Sequence, residues 1–381
     1  MRIAILGFGR EGRAVLRFLL QSKSKDDIWI LDKDREIKPS PKLHQKLGRN
    51  YLSGLSDFDL VFRSPGVPYN LPEIQDAIKN GARFSSSTAL FFEKAKGAII
   101  GVTGTKGKGT VSTLLYRILK ASGKDVYLAG NIGKTSIELL PTLKKNSVAV
   151  LELSSFQLQD LKHSSSIALI TEVFPDHLDA HENLKEYFRA KSNICRYQRK
   201  GDTVFFFADN GAGQRIAARG KGKKVPVSEK NFRLFQKEDL KIPGRHNFRN
   251  AVMAAEAALY LGCPKNKVIS AVRSFRGNEH RLEFVREIDG IRFCNDSAST
   301  NPQTAAAAIR AFSGPKILIA GGKDKNLDYK PLAQALKSSD TRLVILFGEN
   351  RNKIKRSIRH QASGVKRQAP SIKPYDIILS K

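Results

Sequence analysis

Cysteine is scarce in this chain of 381 residues: Cys195, Cys263 and Cys294 stand far apart and form no CxxC pair. That spacing excludes a disulfide framework and a zinc site built on thiolates. No apolar run reaches the ~18 to 20 residues that a membrane span needs. The apolar N-terminus, MRIAILGFGREGRA, is interrupted by glycines and followed by no small-residue cleavage site, so no signal peptide is expected and the cytoplasm is the expected location. Acidic residues are also in short supply, 36 against 66 lysines and arginines, which leaves a net charge of +30. The basic residues are scattered, with local clusters only at Lys221 to Lys224 and Lys353 to Arg359 and no aromatic-interleaved basic motif. A solvated basic surface is therefore expected rather than a nucleic-acid partner. No sequence repeat of 20 to 50 residues is visible.

What is present is a regular alternation. The stretch from IAIL through RAVLRFLLQS, IWILD and DLVFRS to LPEIQDAIKNG alternates strands with helices, which predicts a parallel α/β sheet. A second unit opens with the strand AIIGVTG and the helix TVSTLLYRILKASG, for which Gly123 is the expected residue just past the C-terminal cap. Strands at VYLAG, SVAVLELSS, SIALITEV and DTVFFFAD and a long helix at NFRNAVMAAEAALYLG follow. A third unit starts near His280, with a strand at IRFCNDS, a helix capped by Asn301 with Pro302 at its first position, and strands at KILIAGG, RLVILFG and DIILS. The expectation is an α/β chain of three Rossmann-like parallel-sheet domains, 1–94, 95–277 and 278–381, with the last stopping in mid-domain.

Two glycine clusters carry chemistry. Gly7, Gly9 and Gly12 lie between a strand and a helix, with Asp32 at the end of the next strand. This is the dinucleotide fingerprint, although its physical content suits any nucleotide diphosphate at a helix N-terminus, and a ligand-free tight turn is the plain alternative. The second cluster, Gly104-Thr105-Lys106-Gly107-Lys108-Gly109-Thr110, has the makings of a P-loop: glycines that open a nest of amides and Lys108 to neutralise phosphate. Gly109 takes the position where a hydroxyl usually follows the lysine, so Thr110 is left to supply an oxygen to magnesium. Glu152 ends an apolar strand near this loop, either as a metal ligand or as a solvated carboxylate. His177, between Asp176 and Asp179, reads equally as part of a metal site or as a helix start where acids suit the dipole.

With LELSSFQL at 151–158, DHLD at 176–179, RAK at 189–191, GRHNFRN at 244–250, HR at 280–281 and NDSAST at 295–300, the order of motifs resembles that of the Mur ligase family. GFGREG, SPGVP at 64–68 and GNIG at 130–133 are most similar to its D-glutamate-adding branch. The resemblance implies a three-domain, ATP-dependent ligase, acting as a monomer, that joins D-glutamate to UDP-N-acetylmuramoyl-L-alanine through an acyl phosphate. It implies that Phe8, Gly9, Arg10, Asp32 and Ser64 lie about the uridine diphosphate, and Asn131, Ser154 and Gln157 near the muramoyl part or the metals. Asn247, Asn250, Arg281 and Asp296 would serve the nucleotide, with His246 beside them. Two magnesium ions would be held by Thr110, Glu152, His177 and a carbamylated Lys191, and Lys325 would meet the glutamate side chain.

The pattern departs from the family at Gly109, at Ala298 where NDSKAT carries a lysine, and at Thr171 where an asparagine is common. The family's final stretch would begin just after Ser380. Other readings remain open: a folylpolyglutamate-type or other Mur ligase, favoured by GKGT; a catalytically silent nucleotide-sugar-binding protein; and a nicotinamide dehydrogenase, which leaves GTKGKGT unexplained.

Overall fold

In a computed structural model the described residues are 1–22, 25–38, 43–175, 181–242, 244–299, 301–324, 327–363 and 376–379. His177 and Lys325, with Asp176, Asp179, Pro243, Thr300 and Ser380, lie outside them. The chain forms two compact units, residues 1–236 with 248–273 and residues 237–247 with 274–381.

The first unit holds two sheets. Its N-terminal sheet takes β1 (Arg2–Leu6), β2 (Asp27–Asp32), β3 (His44–Leu47), β4 (Leu60–Arg63) and β5 (Phe84–Ser85) in the parallel order β3-β2-β1-β4-β5. Helices α1 (Arg10–Gln21), α2 (Pro72–Lys79) and α3 (Ser87–Lys94) cover it. Ile3, Ile5 and Ile30 face one buried cluster while Ala4, Leu6 and Leu31 face the other, so both faces of the central strands are apolar. A parallel sheet covered on both sides requires such near-continuous apolar runs. Strand order reverses on the two sides of β1, and the glycine turn after β1 therefore sits where crevices form in such sheets.

The second sheet runs β11-β10-β9-β6-β8-β7, again parallel, from β6 (Ala98–Thr103), β7 (Val126–Gly130), β8 (Val148–Glu152), β9 (Ile167–Ile170), β10 (Thr203–Phe207) and β11 (Lys223–Val227). Its helices are α4 (Lys108–Ala121), α5 (Ser155–Leu158), α6 (Leu184–Ser192), α7 (Gly211–Ala217), α8 (Arg245–Tyr260) and α9 (Lys265–Ser274). The expected end of α4 is found: Gly123 has φ +78°, its N–H reaches Lys120 O and the N–H of Lys124 reaches Leu119 O, a Schellman cap. Strand β6 is the switch point here, because β8 and β9 flank it and their C-terminal ends converge beside its own.

The second unit has an antiparallel hairpin of β12 (Glu283–Ile288) and β13 (Ile291–Asn295). Three parallel strands follow, β14 (Lys316–Gly321), β15 (Thr341–Phe347) and β16 (Asp376–Leu379). With them stand α10 (Pro302–Ala311), α11 (Lys330–Lys337) and α12 (Arg351–Ser363). Leu318, Val344 and Leu346 of the sheet share one core with Ile309, Leu332, Leu336, Ile354 and Ile358 of the helices. Asn301 caps α10 as expected, accepting from Thr304 N at 2.9 Å. The hairpin corrects the sequence reading, which had a strand only at IRFCNDS. Among the described residues, no helix is long and apolar enough to cross a membrane.

Candidate active site

The loop between β6 and α4 is pinned from β9. Thr105 N and Lys106 N donate to Glu172 O at 2.6 and 3.3 Å, and the Thr105 hydroxyl meets Phe174 O at 2.9 Å and the Tyr187 hydroxyl at 2.8 Å. Gly107, the residue before the helix, has φ +88°, and a Cβ there would lie 2.3 Å from Asn250 Oδ1. Any side chain at 107 would be strained and would collide with a buried amide, so the loop and Asn250 fix each other. Lys108 folds back, donating to Gly104 O at 3.1 Å and Thr105 O at 3.2 Å. Thr110 is half-buried in the first turn of α4, whose amide end favours anions.

Lys191 comes to the same place from α6. It is 2% exposed, donates to Gly104 O at 2.8 Å and lies 4.7 Å over the Tyr187 ring. Glu152 ends β8 beside β6, 3% exposed. Its Oε1 accepts from Asn131 Nδ2 at 3.1 Å, while its buried Oε2 has no hydrogen-bond partner. A buried carboxylate oxygen without a donor is costly unless a cation meets it, so Glu152 fits a magnesium site next to the phosphate loop. An ammonium has no lone pair to give a metal, so Lys191 fits that role only after conversion to a carbamate.

Asn131 leads from Glu152 towards the first sheet. Its N–H donates to Glu152 O at 2.9 Å, and the exposed Arg10, at the start of α1, donates to Gly130 O at 2.9 Å and Gly133 O at 3.0 Å. The glycine turn of the first sheet and the GNIG loop of the second thus form one surface, with Gly9 open beside it. Other expected contact residues are occupied locally. Asp32 Oδ2 accepts from Phe8 N at 2.6 Å, its Oδ1 accepts from Asp34 N at 2.9 Å, and the Phe8 side chain is buried in the core. Ser64 donates to Gly7 O at 2.6 Å. Ser154 and Gln157 make a capping box on α5, and Gln157 Nε2 reaches Glu11 Oε1 at 2.7 Å.

A buried His181 was not singled out from sequence. Its Nδ1 pairs with Glu186, its Nε2 meets the Ser155 hydroxyl at 2.9 Å, and its ring stacks on Phe156 with centroids 5.1 Å apart. Burial alone would raise the Glu186 carboxyl, but the His181 contact prevails and holds it below its ordinary range. Asn183, which caps α6 by accepting from Glu186 N, was the available signal that a helix bearing Lys191 begins here.

In the second unit, Arg281 is exposed between two non-glycine residues in left-handed conformation, His280 at φ +61° and Leu282 at φ +46°. Such strain clusters at functional turns. Asp296 Oδ1 accepts from Leu282 N at 2.9 Å and Ala298 N donates to His280 O at 2.8 Å, so the structure brings the HR and NDSAS segments together. Asn247 is buried and His246 is exposed.

Comparison with known proteins finds three family models in series. The Mur ligase MurD-like N-terminal domain matches residues 1–86, the Mur ligase middle domain 102–238, and the Mur ligase glutamate ligase domain 280–377. The UDP-N-acetylmuramoylalanine--D-glutamate ligase of Symbiobacterium thermophilum is 35% identical over 94% of this chain and 85% of its own length. That of Acetivibrio thermocellus is 36% identical over 94% and 83%. Among solved structures, MurC of Thermotoga maritima superposes with a TM-score of 0.59 at 20% identity, covering 100% of this chain and 95% of that one. MurF of the same organism in complex with ADP gives 0.56 at 15%, covering 99% and 90%, and at these identities the likeness is one of fold.

Proposed function

The chain belongs to the Mur ligase family, and from that premise we propose that it joins D-glutamate to UDP-N-acetylmuramoyl-L-alanine with cleavage of ATP to ADP and phosphate. The relatives at 35 and 36% identity over 94% of the chain are the observation that carries the choice of substrates. The reaction is a step of peptidoglycan precursor synthesis, and its place is the cytoplasm, with the enzyme acting as a monomer. Residues 1–94 are assigned to the UDP-sugar, 95–277 to ATP, and 278–381 to the amino acid.

The chemistry is mostly a problem of charge and alignment. A substrate carboxylate oxygen attacks the γ-phosphorus and ADP leaves; the glutamate amine then attacks the acyl carbon, loses a proton, and phosphate departs. Lys108 and the amides of Gly107 to Thr110 take up phosphate charge. Gly9, Arg10 and Asn131 supply the surface for the UDP-sugar, while Phe8, Asp32, Ser64, Ser154 and Gln157 hold that surface in shape through the contacts described above. Asn247, Asn250, Arg281 and Asp296 serve the nucleotide. Magnesium, when bound, would draw charge from the phosphate oxygens. Glu152, Thr110 and a carbamylated Lys191 are the described residues offered to hold two ions, together with His177, and Lys325 would receive the glutamate side chain.

A phosphate-release assay tests the reading, with ATP, magnesium and UDP-N-acetylmuramoyl-L-alanine and with no amino acid, D-glutamate, L-glutamate or L-lysine added. Release that depends on D-glutamate is the expected result. Release that depends instead on L-lysine would move the assignment to another member of the family. Absence of release together with absence of UDP-sugar binding in a calorimetric titration would remove the assignment of the first domain.

A further inference from the structure

We propose that Arg249 is a positioning residue for the nucleotide, neutralising and fastening three acidic strand ends against the phosphate loop; this rests on the ATP site proposed above. Arg249 lies in the second turn of α8. Its Nη1 and Nη2 make a bidentate pair with Asp209 at 2.8 and 2.7 Å, and Nη2 also meets Glu172 Oε1 at 2.6 Å. Glu229 Oε1 stands 3.6 Å from Nη1, and the guanidinium lies 4.4 Å over the Phe207 ring. The side chain is 12% exposed, and the hydrogen bonds it donates to Asp209, opposed by burial and helped by the charges of Glu172, Asp209 and Glu229, raise its pKa above the ordinary arginine value.

Two connections lead from this cluster to the phosphate loop. Glu172 is the residue whose carbonyl accepts from both Thr105 N and Lys106 N. Asn250, next in sequence to Arg249, fills the space beside Gly107. Arg249 therefore ties the ends of β9 and β10 and the turn after β11 to the start of α8, on both sides of the loop that receives a polyanion. Without it, Glu172, Asp209 and Glu229 would lose the guanidinium that faces all three beside the phosphate loop, and the start of α8 would lose its tie to them. A lysine would keep the charge but could not reproduce a planar fork that bridges two carboxylates while stacking on a phenyl ring.

The test uses the full chain and measures calorimetric binding of ATP with magnesium, and separately of UDP-N-acetylmuramoyl-L-alanine, for wild type, Arg249→Lys, Arg249→Met and Asp209→Asn. Losing a bidentate charge-assisted contact sets the expected scale, about tenfold weaker ATP binding in Arg249→Lys and more in Arg249→Met. UDP-sugar affinity should stay within about twofold, since only the nucleotide side is disturbed. Asp209 is 59% exposed, so Asp209→Asn leaves the fold least disturbed and should weaken ATP binding in the same direction by a smaller factor. In steady state the KM for ATP should rise more than kcat falls. Unchanged ATP affinity in Arg249→Lys and Asp209→Asn overturns the proposal, and so does a parallel loss of both ligands, which marks a general loss of structure. A wild-type chain that binds no ATP removes the nucleotide site itself, a different failure visible in the control.

Discussion

Replacing Arg63 by methionine should loosen the N-terminal sheet from the second sheet by an amount that can be worked out. Arg63 ends β4 and is 2% exposed. Its Nε pairs with Asp160 Oδ2 at 2.8 Å, Nη1 donates to Val67 O at 2.7 Å, and Nη2 donates to Phe156 O at 3.1 Å. Methionine keeps part of the aliphatic volume and removes every donor. Removing one member of a buried ion pair costs about 3–5 kcal/mol, because the other is left uncompensated. Asp160 is only 10% exposed and its Oδ1 is already without a hydrogen bond, so water can relieve little of the loss. Trp29 is the only tryptophan of the chain and lies on β2 of the same sheet, stacked on His44 with centroids 4.8 Å apart, so its fluorescence reports this region alone. Urea titrations followed at Trp29 should show the transition of Arg63→Met at clearly lower denaturant with an unchanged slope. In a cycle with Asp160→Asn, the double variant should be less unstable than the sum of the single ones by about 1–3 kcal/mol. Strict additivity, or a midpoint equal to the wild type, would refute the reasoning.

Glu152→Gln removes the carboxylate proposed for magnesium and keeps the Asn131 contact available; D-glutamate-dependent phosphate release should fall by about 100-fold or more while UDP-sugar affinity changes little. Calorimetry beside the kinetic assay checks it, and wild-type activity would remove Glu152 from the metal site. Burial pushes the Cys195 thiol up to about 12 and Cys263 is also buried, whereas Cys294 is exposed, so a maleimide at neutral pH should label a single thiol in the native protein and all three in urea. Mass spectrometry of the labelled peptides decides this. The depressed Glu186 carboxyl contributes stability that is complete above its unfolded pKa near 4.5 and is lost as pH falls through the lower folded value. Glu186→Gln should therefore narrow the gap to the wild type in urea midpoints as pH drops below about 4.5, and a gap that widens there would contradict the assignment.

How far the sequence revealed this arrangement follows from where each element lies. The central strands β1, β6, β8, β9 and β10 are buried on both faces and read as apolar runs, so the alternation and its parallel sense were legible. The strands passed over, β3, β5 and β11, are all at sheet edges. HQKL and KKVPV can be polar there because one side of an edge strand is solvated, and the lysines of β11 discourage pairing with another chain. The hairpin strand EFVREI was passed over for a similar reason, since its last four residues are all exposed. The turn between β6 and α4 was legible because Gly104 and Gly107 take positive φ there. Asp32, Ser154 and Gln157 close their own turns, and a carboxylate or amide that does so leaves the same letters in the sequence as one aimed at a ligand. The Arg249 partners Glu229, Asp209 and Glu172 lie 20 to 77 residues away in the chain, and of the His181 partners only Glu186 is near, five residues on, while Ser155 is 26 away, so local spacing does not reveal either cluster.

The Gly104 carbonyl gives the site its electrostatic logic. Lys108 and Lys191 donate to this one oxygen at 3.1 and 2.8 Å. Their nitrogens are therefore no more than about 6 Å apart, which at an effective dielectric near 20 amounts to about 3 kcal/mol of mutual repulsion. The Gly104 and Thr105 carbonyls and the Tyr187 ring offset part of this. Two changes lower the energy: an anion such as a phosphate group arriving between the ammoniums, or loss of one positive charge. Carbamylation, in which the neutral Lys191 amine adds carbon dioxide and releases a proton, does more than the second, because it turns a cation into an anion beside Lys108. The resulting carboxylate would lie with Glu152 by the phosphate loop, two anions and one lysine where two lysines and one anion stood before. Such a reversal makes room for a divalent cation and disfavours it when the carbamate is absent. On the proposed reading this pair of lysines would make metal binding depend on the chemical state of Lys191, and magnesium affinity should rise with bicarbonate in the wild type but not in Lys191→Gln.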